Sequence, residues 1–311
     1  NVLLKEIPHG FYGDEPAGIW QPVKLSITDP TKVEDVFIKP TLNGATFDVT
    51  LKNYDNKQKE FNLYTDIIDK ETGAVPYSGL SIRKLRLNTG EERIETYTIN
   101  NLKPRLWTPQ HPNLYDFKFR LITGKGTELD CLTETSGFRT FEVKDGLFYL
   151  NGNTFMQLMK AGNIDVTRTH TTPWNKLWMT AADRNGIGIS FEGTWSWLMI
   201  HSTPIPDRRL LEMWRNEFLG LLKKYRNHPS LLFWTVNNEM KFYDNDNNLE
   251  RAKEKYRIIS DVVKEMRRID PTRPICFDSN YQAKNKDKKY GADFMNSIDD
   301  GDIDDMHGYY N

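Results

Sequence analysis

The chain has 311 residues, enough for two or three domains, with 38% apolar and 12% aromatic residues and a formal net charge of -1. That near-neutral balance excludes a global pull toward nucleic acid or an anionic membrane, so neither partner is expected and any ligand must be recognised locally. Two cysteines, Cys131 and Cys276, lie far apart and set neither a disulfide framework nor a metal spacing, and no metal is expected.

No apolar run approaches the roughly 20 residues that span a bilayer. The opening "NVLLKEIPHG" carries neither an initiating methionine nor a signal h-region. That leaves the compartment open, with a periplasmic or secreted location expected ahead of a cytoplasmic one. Residues 1–32, with "AGIWQPVKLSITD" near their end, read as the tail of an earlier β unit. From there to residue 142 the texture is alternating: "TFDVTLKN" (46–53), "EFNLYTDIID" (60–69), "RIETYTI" (93–99), "LYDFKFRLIT" (114–123) and "ETSGFRTFEV" (134–143). Turn signals such as "KNYDNK", "KETG" and "LNTGEE" separate these strands. Short alternating strands at this spacing predict a β-sandwich over 33–142.

After residue 142 strand and helix alternate. "IDVTRT" (164–169) is a strand, "WNKLWMTAADRNG" (174–186) a helix and "IGISFE" (187–192) a strand. The next helix starts at an Asp207 cap, buries Leu210, Leu211, Trp214, Phe218, Leu221, Leu222 and Tyr225, and stops near His228-Pro229. Then come the strand "LLFWTV" (231–236), a helix over 249–269, the strand "PICFDSN" (274–280) and a short strand in "IDDMHGYY" (303–310). Repeated βα units predict parallel strands wrapped by helices. Five such strands fall short of the eight that close a (β/α)8 barrel. The step from "GLFYLNGN" to "MQLMKAGN" also leaves no room for a first strand and helix, so a missing stretch is expected near 153–156. An open doubly wound sheet is the alternative that needs no further strands.

In parallel α/β folds ligands bind at the carboxyl ends of strands. Polar residues stand at those ends: Arg168 and His170, Glu192, Asn238 and Glu239, Asp278 and Asn280, and His307 with Tyr309. Each alone has a bland explanation as a cap, a loop hydrogen bond or a surface charge. Their agreement, strand after strand, is what points to a site.

The segment "KKYRNHPSLLFW", running through an apolar strand into "NNE" (237–239), resembles the acid/base strand of glycoside hydrolase family 2. That family includes β-galactosidases, β-glucuronidases and β-mannosidases. "AGIWQPVKL" is similar to the end of its sugar-binding jelly roll. "LWTPQHPNLY" and "GFRTFEVKDGLFYLNG" are similar to late strands of its immunoglobulin-like domain and the approach to its barrel. The resemblance implies a jelly-roll tail (1–32), an immunoglobulin-like sandwich (33–142) and a partial TIM-barrel catalytic domain (143–311). It further implies a retaining exo-β-glycosidase, β-galactosidase-like, acting on an oligosaccharide or glycoside without a cofactor, with a homo-oligomer left open. Glu239 would be the acid/base and Asn238 would bind the hydroxyl beside the scissile carbon. Arg168 would hold the nucleophile ionised. Glu192, His307 and Tyr309 would contact substrate or support the site.

The nucleophile itself is expected on a strand outside these residues. The family's Ser-His-Tyr-Pro is here "THTTPW", which shifts His170 and offers Trp174 as a wall of the sugar subsite. The loop "GTWSWLMIHSTPIP" adds Trp195 and Trp197, and one of these three tryptophans is expected to line the pocket that holds Glu239. A carboxyl for such chemistry needs partial burial, whereas an exposed loop carboxylate would mean nothing. The competing reading is a non-catalytic carbohydrate-binding or scaffold protein on the same architecture.

Overall fold

The computed structural model describes residues 23, 25–154, 166–170, 175–195, 197–240, 248–280 and 288–307. The expectations for Trp174 and Tyr309, for residues 155–156 of the junction and for most of the 1–32 segment lie outside them.

Seven strands form two facing sheets. β1 (Thr31–Pro40), β2 (Ala45–Asn53) and β5 (Glu92–Ile99) make one, in the order β1-β2-β5. β3 (Lys59–Asp69), β4 (Tyr77–Leu87), β6 (Tyr115–Ile122) and β7 (Glu128–Ser136) make the other, in the order β4-β3-β6-β7. Period-two alternation builds the core: Ala45, Phe47, Val49 and Leu51 of β2 point inward, as do Tyr115, Phe117, Phe119 and Leu121 of β6. Phe47 meets Phe117 and Phe119 across the gap, at 5.9 and 5.5 Å between ring centres.

The stretch expected as one strand over 134–143 is two. β7 ends at Ser136 and β8 (Phe141–Lys144) begins a small antiparallel sheet with β9 (Leu147–Leu150) and β10 (Asn153–Thr154). The break has a steric cause. Gly137 is pressed so closely on Trp107, the Asn113 carbonyl and Pro229 that a Cβ there would meet them at 2.9–3.2 Å. Just beyond it, buried Arg139 turns to donate through Nε to Pro229 O (2.5 Å) and through Nη2 to Leu231 O. The chain leaves the sheet to tie the sandwich to the α/β half. Trp107 Nε1 donates to Asp183 O at 3.0 Å across the same junction. Asn227 accepts from Ile38 N (2.9 Å) and donates to Val36 O (2.8 Å).

Four parallel strands come next, in sequence order: β11 (Val166–Arg168), β12 (Gly188–Glu192), β13 (Leu231–Asn238) and β14 (Ile275–Ser279). A doubly wound sheet reverses its strand order at a switch point; the four described strands do not, and they match the wall of a barrel. Between the strands lie α1 (Lys176–Asn185), α2 (Arg208–Tyr225) and α3 (Leu249–Ile269). Asp207 caps α2 through Leu210 N at 2.9 Å, and the helix buries every residue of the expected stripe except Leu211, which is half-buried. A four-residue helix, α4 (Ala292–Met295), lies near the end.

The two faces of this sheet differ in chemistry. Ile189, Phe191, Trp234, Val236, Ile275 and Phe277 join the apolar layer beneath the helices. The alternate positions are Ser190 and Glu192, Thr235 and Asn237, Cys276 and Asp278, all buried. A polar inner face leading to one end is the pattern of a wall that serves a site. At the opposite end Leu232 and Phe233 rest on the small sheet, with Phe148 stacked on Phe233 at 6.1 Å.

The strand expected within 303–310 is absent from its described part, 303–307. One isolated antiparallel bridge, Cys276 with Gly301, stands near that place. Asp302 closes the start of β14 instead: its N–H donates to Ile275 O (2.7 Å) and its Oδ2 accepts from Ile275 N (2.9 Å). Beyond Gly301, at φ 85°, Asp305 and His307 lie over the strand ends, where they reach Ser279 and Glu239.

Candidate active site

Glu239 follows the last residue of β13 with φ 50°, a left-handed conformation that costs a non-glycine residue about 1–2 kcal/mol. Its surroundings hold it there. Its N–H donates to Ser279 O (2.8 Å), and the next amide, Met240 N, donates to both oxygens of Asp278 (3.2 and 3.3 Å). Asn280, the residue after the neighbouring strand β14, is also left-handed at φ 80°. Strain at two adjacent strand ends marks a place where side-chain direction matters more than backbone comfort. Glu239 is 6% exposed, so it is no surface loop carboxylate.

Its Oε1 lies 2.7 Å from His307 Nδ1. On the imidazole's far side Nε2 is 2.7 Å from Ser279 Oγ and 3.8 Å from Asp305 Oδ2. Ser279 Oγ also receives Arg168 Nη1 and donates to Asp305 Oδ2 at 2.5 Å. Arg168 reaches the other way as well: Nε is 3.3 Å from Glu192 Oε2, and Nη2 donates to His170 Nδ1 at 3.1 Å. The Arg168 guanidinium thus lies against the fully buried carboxyl of Glu192. Trp197 meets His170 edge-on at 5.8 Å, which brings one of the three candidate tryptophans to this cluster. Trp195, at φ 62°, packs against the apolar layer.

Asn238 Nδ2 is 3.5 Å from Glu239 Oε2, a long contact, while its Oδ1 is buried with no hydrogen-bond partner among the described residues. Asn237 Nδ2 donates to Phe277 O at 3.1 Å. Cys276, on the same polar face, is a free thiol pushed upward by burial and then by Asp305 and Asp278, so it stays protonated. Among the described residues no three His, Cys, Asp or Glu side chains converge as a metal set.

The fold thus gathers Arg168, His170, Glu192, Asn238, Glu239 and His307 at one end of the sheet, with Trp197 beside them. Two members escaped sequence reasoning. Ser279 sits between the flagged Asp278 and Asn280, and Asp305 lies in what read as a strand. The register Asn238↔Ser279 was the signal that could have pointed to Ser279, since parallel neighbours of a site residue share its end of the sheet.

An immunoglobulin-like sandwich followed by a parallel α/β wall, with ionisable groups massed at the strand ends, defines a barrel protein, the fold whose active sites are built at those ends. Residues 31–139 match the model of glycosyl hydrolases family 2, and residues 151–300 match that family's TIM barrel domain. The chain belongs to glycoside hydrolase family 2. Among solved structures it is similar to a beta-glucuronidase of Bacteroides uniformis (TM-score 0.68, 19% identity, 85% of this chain and 36% of that one). A family 2 member from Bacteroides cellulosilyticus is similar too (TM-score 0.68, 20% identity, 88% and 39%). So is a beta-galacturonidase of Eisenbergiella tayi (TM-score 0.60, 18% identity, 80% and 46%). The chain therefore spans less than half the length of these structures, and at such identities the likeness speaks for the fold.

Proposed function

We propose that this chain is the front part of the catalytic unit of a retaining exo-β-glycosidase, with Glu239 as its general acid/base. One observation carries the reading: a buried carboxyl, held in a strained backbone conformation at a strand's carboxyl end, hydrogen-bonded to an imidazole and flanked by an asparagine with an unused oxygen. A retaining glycosidase needs one carboxyl to attack the anomeric carbon and a second, about 5–5.5 Å away, to protonate the departing oxygen. Glu239 fits the second role. Asn238 Oδ1 would accept from the hydroxyl beside the scissile carbon. Arg168, Glu192, His170 and His307 would frame the subsite, and Trp197 would offer its face to the sugar's apolar C–H surface.

A β-galactoside is the first sugar proposed. Similar structures named for glucuronate and galacturonate make uronides the alternatives to include. The proposed domain limits are 1–32, 33–142 and 143–311, and the proposed compartment is periplasmic or extracellular. The test is a screen of aryl β-galactosides, β-glucuronides, β-galacturonides and β-mannosides with the full-length protein. Hydrolysis with retained anomeric configuration is the expected result. Binding of sugar without hydrolysis of any of them would favour the non-catalytic carbohydrate-binding reading.

A further inference from the structure

We infer that Asp278 is a positioning residue for the acid/base: by accepting the Met240 amide it fixes the direction in which the Glu239 side chain leaves its strand. The inference rests on the function proposed above.

Glu239 turns left-handed directly after β13, and the turn takes the chain off the β-ladder. The peptides on both sides of its Cα are nevertheless tied to β14. On the near side, Glu239 N–H donates to a main-chain acceptor, Ser279 O, at 2.8 Å. On the far side, Met240 N–H meets a side chain, with the two oxygens of Asp278 at 3.2 and 3.3 Å. Among the described residues Asp278 is the partner of this amide. Met240 is fully buried and Asp278 is 1% exposed, so the N–H sits where losing its acceptor is costly.

Fixing both peptide planes fixes φ and ψ at Glu239, and with them the direction of its Cα–Cβ bond. That direction brings Oε1 to 2.7 Å from His307 Nδ1 at the strand end. A glutamate free to choose prefers a right-handed or extended backbone, and either would aim the side chain elsewhere. The sheet puts Asp278 in reach of the task. The register pairs Asn237 with Asp278 and Asn238 with Ser279, so Asp278 stands one residue short of the strand end, with its side chain on the buried polar face. The Met240 carbonyl also accepts from His201 N at 2.8 Å, which ties the loop carrying Trp197 to the same anchored segment. A buried carboxyl beside an acid/base could act in two ways, as a hydrogen-bond acceptor or as a charge that alters the partner's proton affinity. The N–H shared between both oxygens assigns Asp278 to the first. It acts through the Met240 amide, and an uncharged acceptor should replace it.

The test compares two variants of the full-length protein on two kinds of substrate. Asp278→Ala removes the acceptor. Its kcat/KM for an alkyl β-glycoside should fall about 10²-fold, because a proton donor displaced by about 1 Å serves the departing oxygen poorly. Its kcat/KM for a dinitrophenyl β-glycoside, whose leaving group needs no proton, should stay close to the parent's. General damage to the fold would lower both alike. Asp278→Asn keeps an oxygen for Met240 N–H and drops the charge, and it should restore most of the alkyl-glycoside activity. Equal losses on both substrates in Asp278→Ala, or no loss, would overturn the inference. So would an Asp278→Asn loss as large and as selective as that of alanine, which would make charge the operative property. Should Asp278→Ala fail to fold, Asp278→Asn decides alone by the same comparison. If Glu239→Gln lost both substrates alike, the acid/base reading itself would fail. If Glu239→Gln showed the split and Asp278→Ala did not, only the positioning role would fall.

Discussion

Replacing Gly186 by alanine should destabilise the protein by about 2–5 kcal/mol, although it adds one methyl group. Gly186 ends α1 at φ 68°, donating its N–H to Ala182 O, and an alanine held in that left-handed conformation costs about 1–2 kcal/mol. The new Cβ would also sit 2.1 Å from Pro109 O, on the sandwich side of the junction. Ordinary contact begins near 3.4 Å, so the two segments must part by 3.4 − 2.1, about 1.3 Å. Forcing apart a packed junction costs about 1–3 kcal/mol more. The control is Gly220→Ala, inside α2, where an added Cβ would meet nothing within 4 Å. Removing backbone freedom there should stabilise by about 0.5–1 kcal/mol. Urea unfolding followed by tryptophan fluorescence reads both. If the two alanines shift the midpoint in the same direction, or Gly186→Ala costs under about 1 kcal/mol, the close approach of helix end and sandwich is wrong.

Two more outcomes rest on particular contacts. Burial alone would raise the Asp69 carboxyl, but the Arg105 guanidinium and the amides of Thr72 and Glu71 outweigh it and hold it at about 2. A depressed carboxyl contributes stability that is present above its unfolded value of 3.8 and is lost as pH falls toward about 2. Asp69→Asn should therefore lose about 2 kcal/mol at neutral pH and unfold with a flatter dependence between those limits; an unchanged acid-unfolding curve would refute it. Trp197→Ala should raise KM about tenfold with kcat nearly kept, because stacking of this kind contributes about 1–1.5 kcal/mol of binding. An unaltered KM would assign Trp197 to packing.

The helices were legible in the sequence because their stripes are long and their caps explicit. α3 matches its expected limits to the residue, and Asp207 caps α2 as its position before the stripe suggests. Strands with weak alternation are harder to see. β4 carries Ser, Arg and Lys on a half-exposed edge, with register shifts in its pairing and Lys84 at φ 54°, so no period-two pattern survives. β1 slips register between Val33 and Asp35 and hides its alternation in the same way. The split at Gly137 depends on Pro229 and Leu231, about 90 residues away, where no local pattern can announce it. The candidate site was proposed from the sequence at Glu239 and Asn238, through the apolar strand before them and a family resemblance. Ser279 and Asp305 acquire meaning from what faces them, and a small hydroxyl or one acid in "DIDDMH" does not reveal its neighbours.

The most direct measurement for the central claim is the leaving-group dependence of Glu239→Gln in the full-length protein. Glutamine keeps the shape of the buried side chain and removes its proton. On an alkyl glycoside or natural oligosaccharide, whose departing oxygen needs protonation, kcat/KM should fall by about 10²–10⁴. On a nitrophenyl or dinitrophenyl glycoside, whose leaving group departs unaided, formation of the glycosyl-enzyme should be nearly unchanged. Equal losses on both kinds of substrate, or undiminished turnover of the oligosaccharide, would contradict the assignment of Glu239 as the proton donor.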